Sequence, residues 1–218
     1  MMIYKKLGKL VPQMESPVFI EIGAHIGTDT VNLLRILDRH HGDDYRYLAF
    51  EPDLRDHARL VGVIGVHPQV DVFAWAIGDG SGTVPFYFST GRNKRGREHT
   101  DSSSLMIPKD NVKLRPWMRF SKGEVYQERL DSLGLDRVDF IWADVQGAEM
   151  LMIAGGQKTF RRTHYLYTEY RHGRAQMYHG APTLQEIQMA LPGKWRVIAV
   201  KQPNALLENM EWSENLST

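Results

Sequence analysis

The sequence predicts an α/β protein built on an open, largely parallel sheet, and three observations carry that prediction. The first is Val18 to Leu34, VFIEIGAHIGTDTVNLL. An apolar run ends in Glu21, a glycine turn spans Gly23-Ala24-His25-Ile26-Gly27, and Val31, Leu33, Leu34 and Leu37 then fall at helical spacing. The second is the recurrence of short apolar runs, YRYLAF, VDVFAWAI, VDFIWA and YLYTEY, most of them followed by amphipathic stretches. That alternation belongs to parallel strands joined by crossover helices. The third is length: 218 residues suit one domain over 1–218 with a sizeable core and little room for a second.

Composition narrows the partners. The formal net charge is +1, so no global field argues for nucleic acid or an anionic membrane. Cysteine is absent, which excludes disulfides, thiolate nucleophiles and cysteine metal sites. The N-terminal MMIYKKLGKLVPQMESP lacks an apolar signal-peptide core, and no apolar run approaches membrane-spanning length. The expectation is a cytoplasmic protein with a small-molecule partner; the oligomeric state stays open.

Taken in order, residues 1–16 read as an N-terminal helix or arm interrupted by Pro12, with Lys5, Lys6 and Lys9 on a solvated face. Strand one and the glycine turn follow. Gly23 and Gly27 let the backbone bend and approach a ligand closely, and the next helix points its N-terminal amides back at the turn. The polar His40-His41-Gly42-Asp43-Asp44 lies at the far end of the sheet from the ligand crevice, which disfavours a metal there. Strand two, Tyr45 to Phe50, ends at Glu51-Pro52. An acid at that tip suits vicinal ribose hydroxyls, since two carboxylate oxygens accept from two donors. The alternative is a charge placed at a helix N-terminus. A helix runs from about Leu54 to Ile64, and Val70 to Ile77 reads as strand three. Thr83 to Ser89 reads as a strand hairpinned with it across the turn Gly78–Gly82.

Residues 91–104 begin with GRNKRGREHT, a basic stretch without an apolar anchor, expected to be mobile. It reads either as solvated or as a lid over an acidic substrate. Glu124 to Leu130 alternates like an edge strand, and a short helical turn follows. Val138 to Ala143 is strand four, and Asp144-Val145-Gln146-Gly147-Ala148-Glu149 leads into a helix from Ala148 to about Phe160. Tyr165 to Tyr170 is strand five, with Glu169 near its tip and His172 just beyond. Pro182 to Leu191 reads as a helix, and Trp195–Val200 with Ala205–Met210 as a closing pair of strands.

The spacing E-x-G-x-x-x-G at Glu21–Gly27 is not the G-x-G-x-x-G of dinucleotide sites. It is similar to the first motif of class I S-adenosylmethionine-dependent methyltransferases. With YLAFEPD, WAIGDGSGTVPFY, Ser102-Ser103-Ser104, ERLDSLGLDRVDFIWADVQGAE and TEYRHG, the chain from about Val18 to His172 resembles the FkbM-type methyltransferase family. It departs from the usual pattern at Glu21, Ala143 and Gln146, where aspartate, another residue before the aspartate, and glutamate are commoner. The resemblance implies a doubly wound, Rossmann-like, seven-stranded sheet with helices on both faces, mostly parallel but closed by an antiparallel hairpin. It implies methyl transfer from S-adenosyl-L-methionine to an oxygen of a sugar, polyketide or other small metabolite. By the same matching, Glu21, Gly23, Ala24, His25 and Gly27 contact the cofactor's tail, Glu51 its ribose, and Ala76 and Ile77 its adenine. Asp144 lies near the transferable methyl.

A neutral hydroxyl is a poor nucleophile, so the acceptor's proton needs a base or a metal. Asp144 is the first candidate, with Glu169 and His172 second; the alternative for Asp144 is a helix N-cap. Glu149 reads as a helix-end charge. Gln146, Ser103 and Ser104 are candidates for holding the acceptor. A divalent ion between Asp144 and Glu169 is possible but not favoured. The rival functions are an NAD-type oxidoreductase and a non-catalytic cofactor-binding module on the same fold.

Overall fold

A computed structural model describes residues 2–92, 96 and 98–212. Helix α1 (Met2–Leu10) and a 3₁₀ turn (Val11–Gln13) precede β1 (Val18–Ile22), α2 (Thr28–His41), β2 (Arg46–Phe50) and α3 (Leu54–Ile64). Then come β3 (Val70–Phe73), β4 (Ala76–Gly78), β5 (Gly82–Gly91), the single-turn α4 (Asn111–Leu114) and β6 (Met118–Arg129). The chain continues through β7 (Val138–Ala143), α5 (Glu149–Gly155), α6 (Gln157–Arg161) and β8 (Thr163–Glu169), then α7 (Leu184–Ala190), β9 (Trp195–Lys201) and β10 (Asn204–Asn209).

Seven strands form one sheet in the order β3-β2-β1-β7-β8-β10-β9. All neighbours are parallel except β10, which runs antiparallel to both β8 and β9. From β1 the chain builds outward through β2 and β3, then returns to lay β7 on the other side of β1. Strand order therefore reverses at β1/β7, where an open α/β sheet leaves a ligand crevice beyond its carboxyl ends.

Side chains alternate between the two faces of each strand. Phe19, Tyr47, Phe140 and Trp142 pack beneath Leu7, Leu33, Leu34, Leu37 and Leu60 of α1, α2 and α3. Ile20, Ile22, Leu48, Phe50, Ile141 and Ala143 pack on the opposite face against Met152, Ile153, Phe160, Ile187 and Leu191. Burial on both faces explains why VFI and VDFIWA read as nearly continuous apolar runs. The N-terminal arm is part of this core, since Leu7 and Val11 are buried. Among the described residues no helix is long and apolar enough to cross a membrane.

The structure departs from the sequence reading around Trp75. Val70 to Ile77 is not one strand: Phe73 still pairs with Phe50, whereas Ala76–Gly78 leaves the main sheet to pair with β6. At the break, the Trp75 ring packs against Phe50, Phe73 and Tyr126. β5 pairs with β6 along its whole length rather than hairpinning with β4. β6, expected as an edge strand from Glu124, begins at Met118 and is the centre of this second, three-stranded sheet. The expected helix from Ala148 to Phe160 is two helices. They break at Gly156, where a Cβ would lie 2.9 Å from the Phe160 ring. The Asp131 carboxylate accepts from the Lys158 and Thr159 amides at 3.0 and 2.8 Å, capping the new start.

Candidate active site

Three strand ends are tied together by the backbone. The amides of Gly23 and Ala24 both donate to Phe50 O, at 2.9 and 3.0 Å, and the Asp144 amide donates to Ile22 O at 2.9 Å. Gly23 has φ +84°, and a Cβ there would lie 2.0 Å from Asp144 O. Glycine is thus required by the approach of the β7 exit to the β1 exit. His25, at φ +50°, aims its amide at Glu51 Oε2 over 2.8 Å.

Around this junction lies a crevice of about 810 Å³ bounded by Gly23, Ala24, His25, Glu51, Ala76, Ile77 and Asp144. Glu51 is 6% exposed. Its two oxygens accept from the His25 and Asp53 amides, each at 2.8 Å. Burial pushes its carboxyl up to about 8 despite those two amides. Asp53, not Glu51, caps α3 by accepting from the Arg55 amide at 3.0 Å. Each Glu51 oxygen keeps a second lone pair for a ligand hydroxyl.

Two residues expected at the cofactor's tail, Glu21 and Gly27, are not on the wall of this crevice. Glu21 is in phase with Phe19 along β1, so its side chain turns under α2 rather than into the crevice. It accepts from Thr30 Oγ1 at 2.6 Å and the Tyr47 hydroxyl at 2.7 Å, and burial raises it to about 8. Gly27 sits at the N-cap of α2, where a Cβ would meet Leu60 Cδ1 at 3.0 Å. Its small size serves helix packing. Strand parity was the available signal for Glu21.

A second cavity, about 860 Å³, adjoins the first and is lined by Glu169, His172, Arg115, Arg171 and Tyr178. Gln146 borders both. Its Nε2 donates to Asp144 Oδ1 at 2.6 Å and to Glu169 Oε2 at 3.3 Å, so the first-choice base and one second-choice base are brought together. Burial and then the Asp144 charge push Glu169 up to about 7, with Arg115 opposing. Asp144 opens to the crevice, yet enclosing protein raises its carboxyl too, against the Gln146 hydrogen bond. Asp144 caps no helix: α5 begins at Glu149, with Ala148 at its N-cap and no side-chain cap. Glu149 is buried and accepts from the Gly147 amide at 3.2 Å, and burial pushes its carboxyl up to about 8, so it is not the helix-end charge expected.

Ser103 and Ser104, expected beside the acceptor, line the first crevice. Both hydroxyls are engaged locally, Ser103 with the Ser89 amide at 3.0 Å and Ser104 with Gln146 O at 2.8 Å. Within 91–104, Asn93–Arg95 and Arg97 lie outside the described residues. Glu98 pairs with Arg55 and Arg59 at 3.3 and 3.1 Å. Thr100 Oγ1 joins Asp56 at 3.0 Å and His25 Nε2 at 2.9 Å. Sequence reasoning missed Asp29, Trp75, Phe86, Thr100 and Asp101 on the crevice wall. It also missed Tyr178, which a loop far along the chain delivers.

A crevice at the switch point, with a glycine turn, an acid at the second strand tip and paired carboxylates, is a ligand site of the nucleotide-binding kind found at the carboxyl ends of open α/β sheets. The model of the FkbM methyltransferase domain matches residues 21–196. The chain belongs to the FkbM methyltransferase family and is an S-adenosylmethionine-dependent methyltransferase. It is 34% identical over 181 residues to the 2-O-methyltransferase NoeI of Sinorhizobium fredii, covering 81% of this chain and 71% of that protein. In fold it is similar to the methyltransferase FkbM from Methylobacillus flagellatus, with TM-score 0.53 and 14% identity. That likeness covers 89% of this chain, which spans only 44% of the solved one.

Proposed function

We propose that this protein transfers a methyl group from S-adenosylmethionine to a hydroxyl oxygen of a small molecule held in the second cavity. The observation that carries this reading is the Asp144–Gln146–Glu169 bridge at the border of the two cavities. The similarity to a 2-O-methyltransferase supports oxygen as the acceptor atom.

The first crevice fits the cofactor. Glu51 offers carboxylate lone pairs at the strand tip, Ala76, Ile77 and Phe86 give apolar walls, and Asp29 adds an acid at the start of α2. Bound there, S-adenosylmethionine supplies an electrophilic methyl on a sulfonium. Glu51 holds the ribose, and the glycine turn sets its position relative to β7. The acceptor's O–H bond breaks as its oxygen bonds to the methyl, while the carbon–sulfur pair stays on sulfur. The released proton passes to the Asp144/Glu169 carboxylates. His172, on the wall of the second cavity, orients the acceptor.

The test is transfer of an isotope-labelled methyl to hydroxyl acceptors, with calorimetry against S-adenosylmethionine and NAD. Because the pair must be ionised to take the proton, turnover is expected to rise with pH through about 7, following Glu169, and to level above it. Tight NAD binding without S-adenosylmethionine binding would support the oxidoreductase. Cofactor binding without transfer to any hydroxyl would leave a binding module. Within this reading, Glu51→Ala removes two ribose hydrogen bonds worth about 1–3 kcal/mol together, a roughly five- to hundredfold loss of S-adenosylmethionine affinity. Wild-type affinity in that variant would refute the ribose assignment.

A further inference from the structure

Every polar atom of the Gln146 side chain has a partner. Nε2 reaches both carboxylates, at 2.6 and 3.3 Å, and Oε1 lies 3.1 Å from the Tyr178 hydroxyl. Chemistry fixes the orientation of this amide, since carboxylates call for a donor and a phenol supplies one. The Tyr178 proton is shared with Ser102 O at 2.6 Å, which anchors the ring from the other side. The backbone is held as firmly. Gln146 stands at φ +52°, uncommon for a residue with a side chain, and its carbonyl accepts from Ser104 Oγ at 2.8 Å. Gly147 follows at φ +94°, where a Cβ would meet Tyr178 Cβ at 2.9 Å. A sparsely populated conformation persists only where its surroundings enforce it, and such sites cluster at active sites.

Two carboxylates on neighbouring strand ends repel when both are ionised. A donor set between them offsets that repulsion and fixes where each oxygen points. We propose that Gln146 is a positioning residue that holds Asp144 and Glu169 as one proton-accepting pair, with Tyr178 locking the amide in the orientation this requires. The inference rests on reading the site as methyl transfer to a hydroxyl. The acceptor's proton goes to the pair, and Gln146 neither gives nor takes one.

Other charged groups bear on the same pair. His25 and Asp29 face it from the glycine turn and α2, Asp101 from the segment after β5, and Arg115 from the end of α4. Glu149 lies beneath it on α5, and His172 and Arg171 line the adjoining wall. None of these is altered in the variants that follow.

The experiment is a carbon-13 carboxyl NMR titration of the cofactor-free protein, followed by pH–rate profiles of the same samples. Gln146→Asn keeps an amide and tolerates the left-handed backbone, but it is one methylene too short to span both carboxylates. Losing the donor disfavours the ionised forms, so the midpoint of the pair, and of Asp144 most directly, is expected to rise by about one pH unit. The pH–rate profile should move up by a similar amount, lowering turnover near pH 7 about fivefold and restoring it at higher pH. Tyr178→Phe should move both in the same direction by less, and it carries the test if Gln146→Asn does not fold. S-adenosylmethionine affinity should stay near wild type in both. Unmoved midpoints in folded variants overturn the inference even with methyl transfer intact. If the midpoints shift but no hydroxyl is ever methylated, the pairing stands and the reading of the reaction falls.

Discussion

Asp144→Asn is expected to lower turnover by about 10²–10⁴-fold while leaving melting temperature and S-adenosylmethionine affinity close to wild type. Asparagine preserves the shape at the end of β7, and the Asp144 amide keeps its bond to Ile22 O. No helix amide depends on the carboxylate, because α5 starts at Glu149 with Ala148 at its N-cap and no side-chain cap. What disappears is the charge that helps the pair take a proton. It is also the charge that helps raise Glu169, so any residual activity should have its pH midpoint moved down toward the ordinary carboxylate range. Glu169→Gln should be comparably slow, and the double variant little slower than either single one, because residues acting as a unit are not additive. Turnover within about threefold of wild type in Asp144→Asn, or clean additivity in the double variant, would reject the paired-base reading. A large fall in melting temperature with proportionate loss of all functions would return Asp144 to a structural role.

The sheet was legible because its strands are buried on both faces and its helices carry one apolar stripe each. Period alone therefore separated Val18–Ile22 from Thr28–His41, and Val138–Ala143 from the helix after it. The three-stranded sheet was not legible, because its pairings are distant in sequence. Nothing in the run VDVFAWAI says that Ala76–Gly78 must leave Phe73 behind to join Gln127–Arg129. The same limit applies to the site. Glu51 and Asp144 could be set on the crevice wall because each follows a strand at a known end of the sheet, whereas Ala76 and Ile77 were expected there from the family resemblance alone. Tyr178 could not, since it reaches Gln146 through a loop fixed by backbone bonds from Lys109 to Met177 O and from His179 to Ile107 O. For Glu21, distance from the glycine points to the crevice, whereas strand parity turns the side chain under α2 to Thr30 and Tyr47.

Gly23→Ala is expected to have the largest effect on stability of any single-methyl addition in the crevice. Two costs act together at this position. A side chain at φ +84° carries left-handed backbone strain of about 1–2 kcal/mol. The added Cβ would also lie 2.0 Å from Asp144 O, a backbone atom that cannot swing aside as a flexible side chain can. Relief requires the β1 and β7 exits to part, against the bonds from Gly23 and Ala24 to Phe50 O and from Asp144 to Ile22 O. Strain and overpacking together suggest about 3–5 kcal/mol, or roughly 6–20 °C in melting temperature for a chain of this size. Gly134→Ala is the control. It sits at φ +61° with nothing within 4 Å of where the added methyl would stand, so it bears strain alone and should cost about 1 kcal/mol. Whatever fraction of Gly23→Ala remains folded should bind S-adenosylmethionine weakly and turn over slowly, because parting the strand ends moves Asp144 relative to Glu51. Equal melting temperatures for the two variants would show that the β1 and β7 exits can part freely, and would remove backbone crowding as the reason glycine stands at position 23.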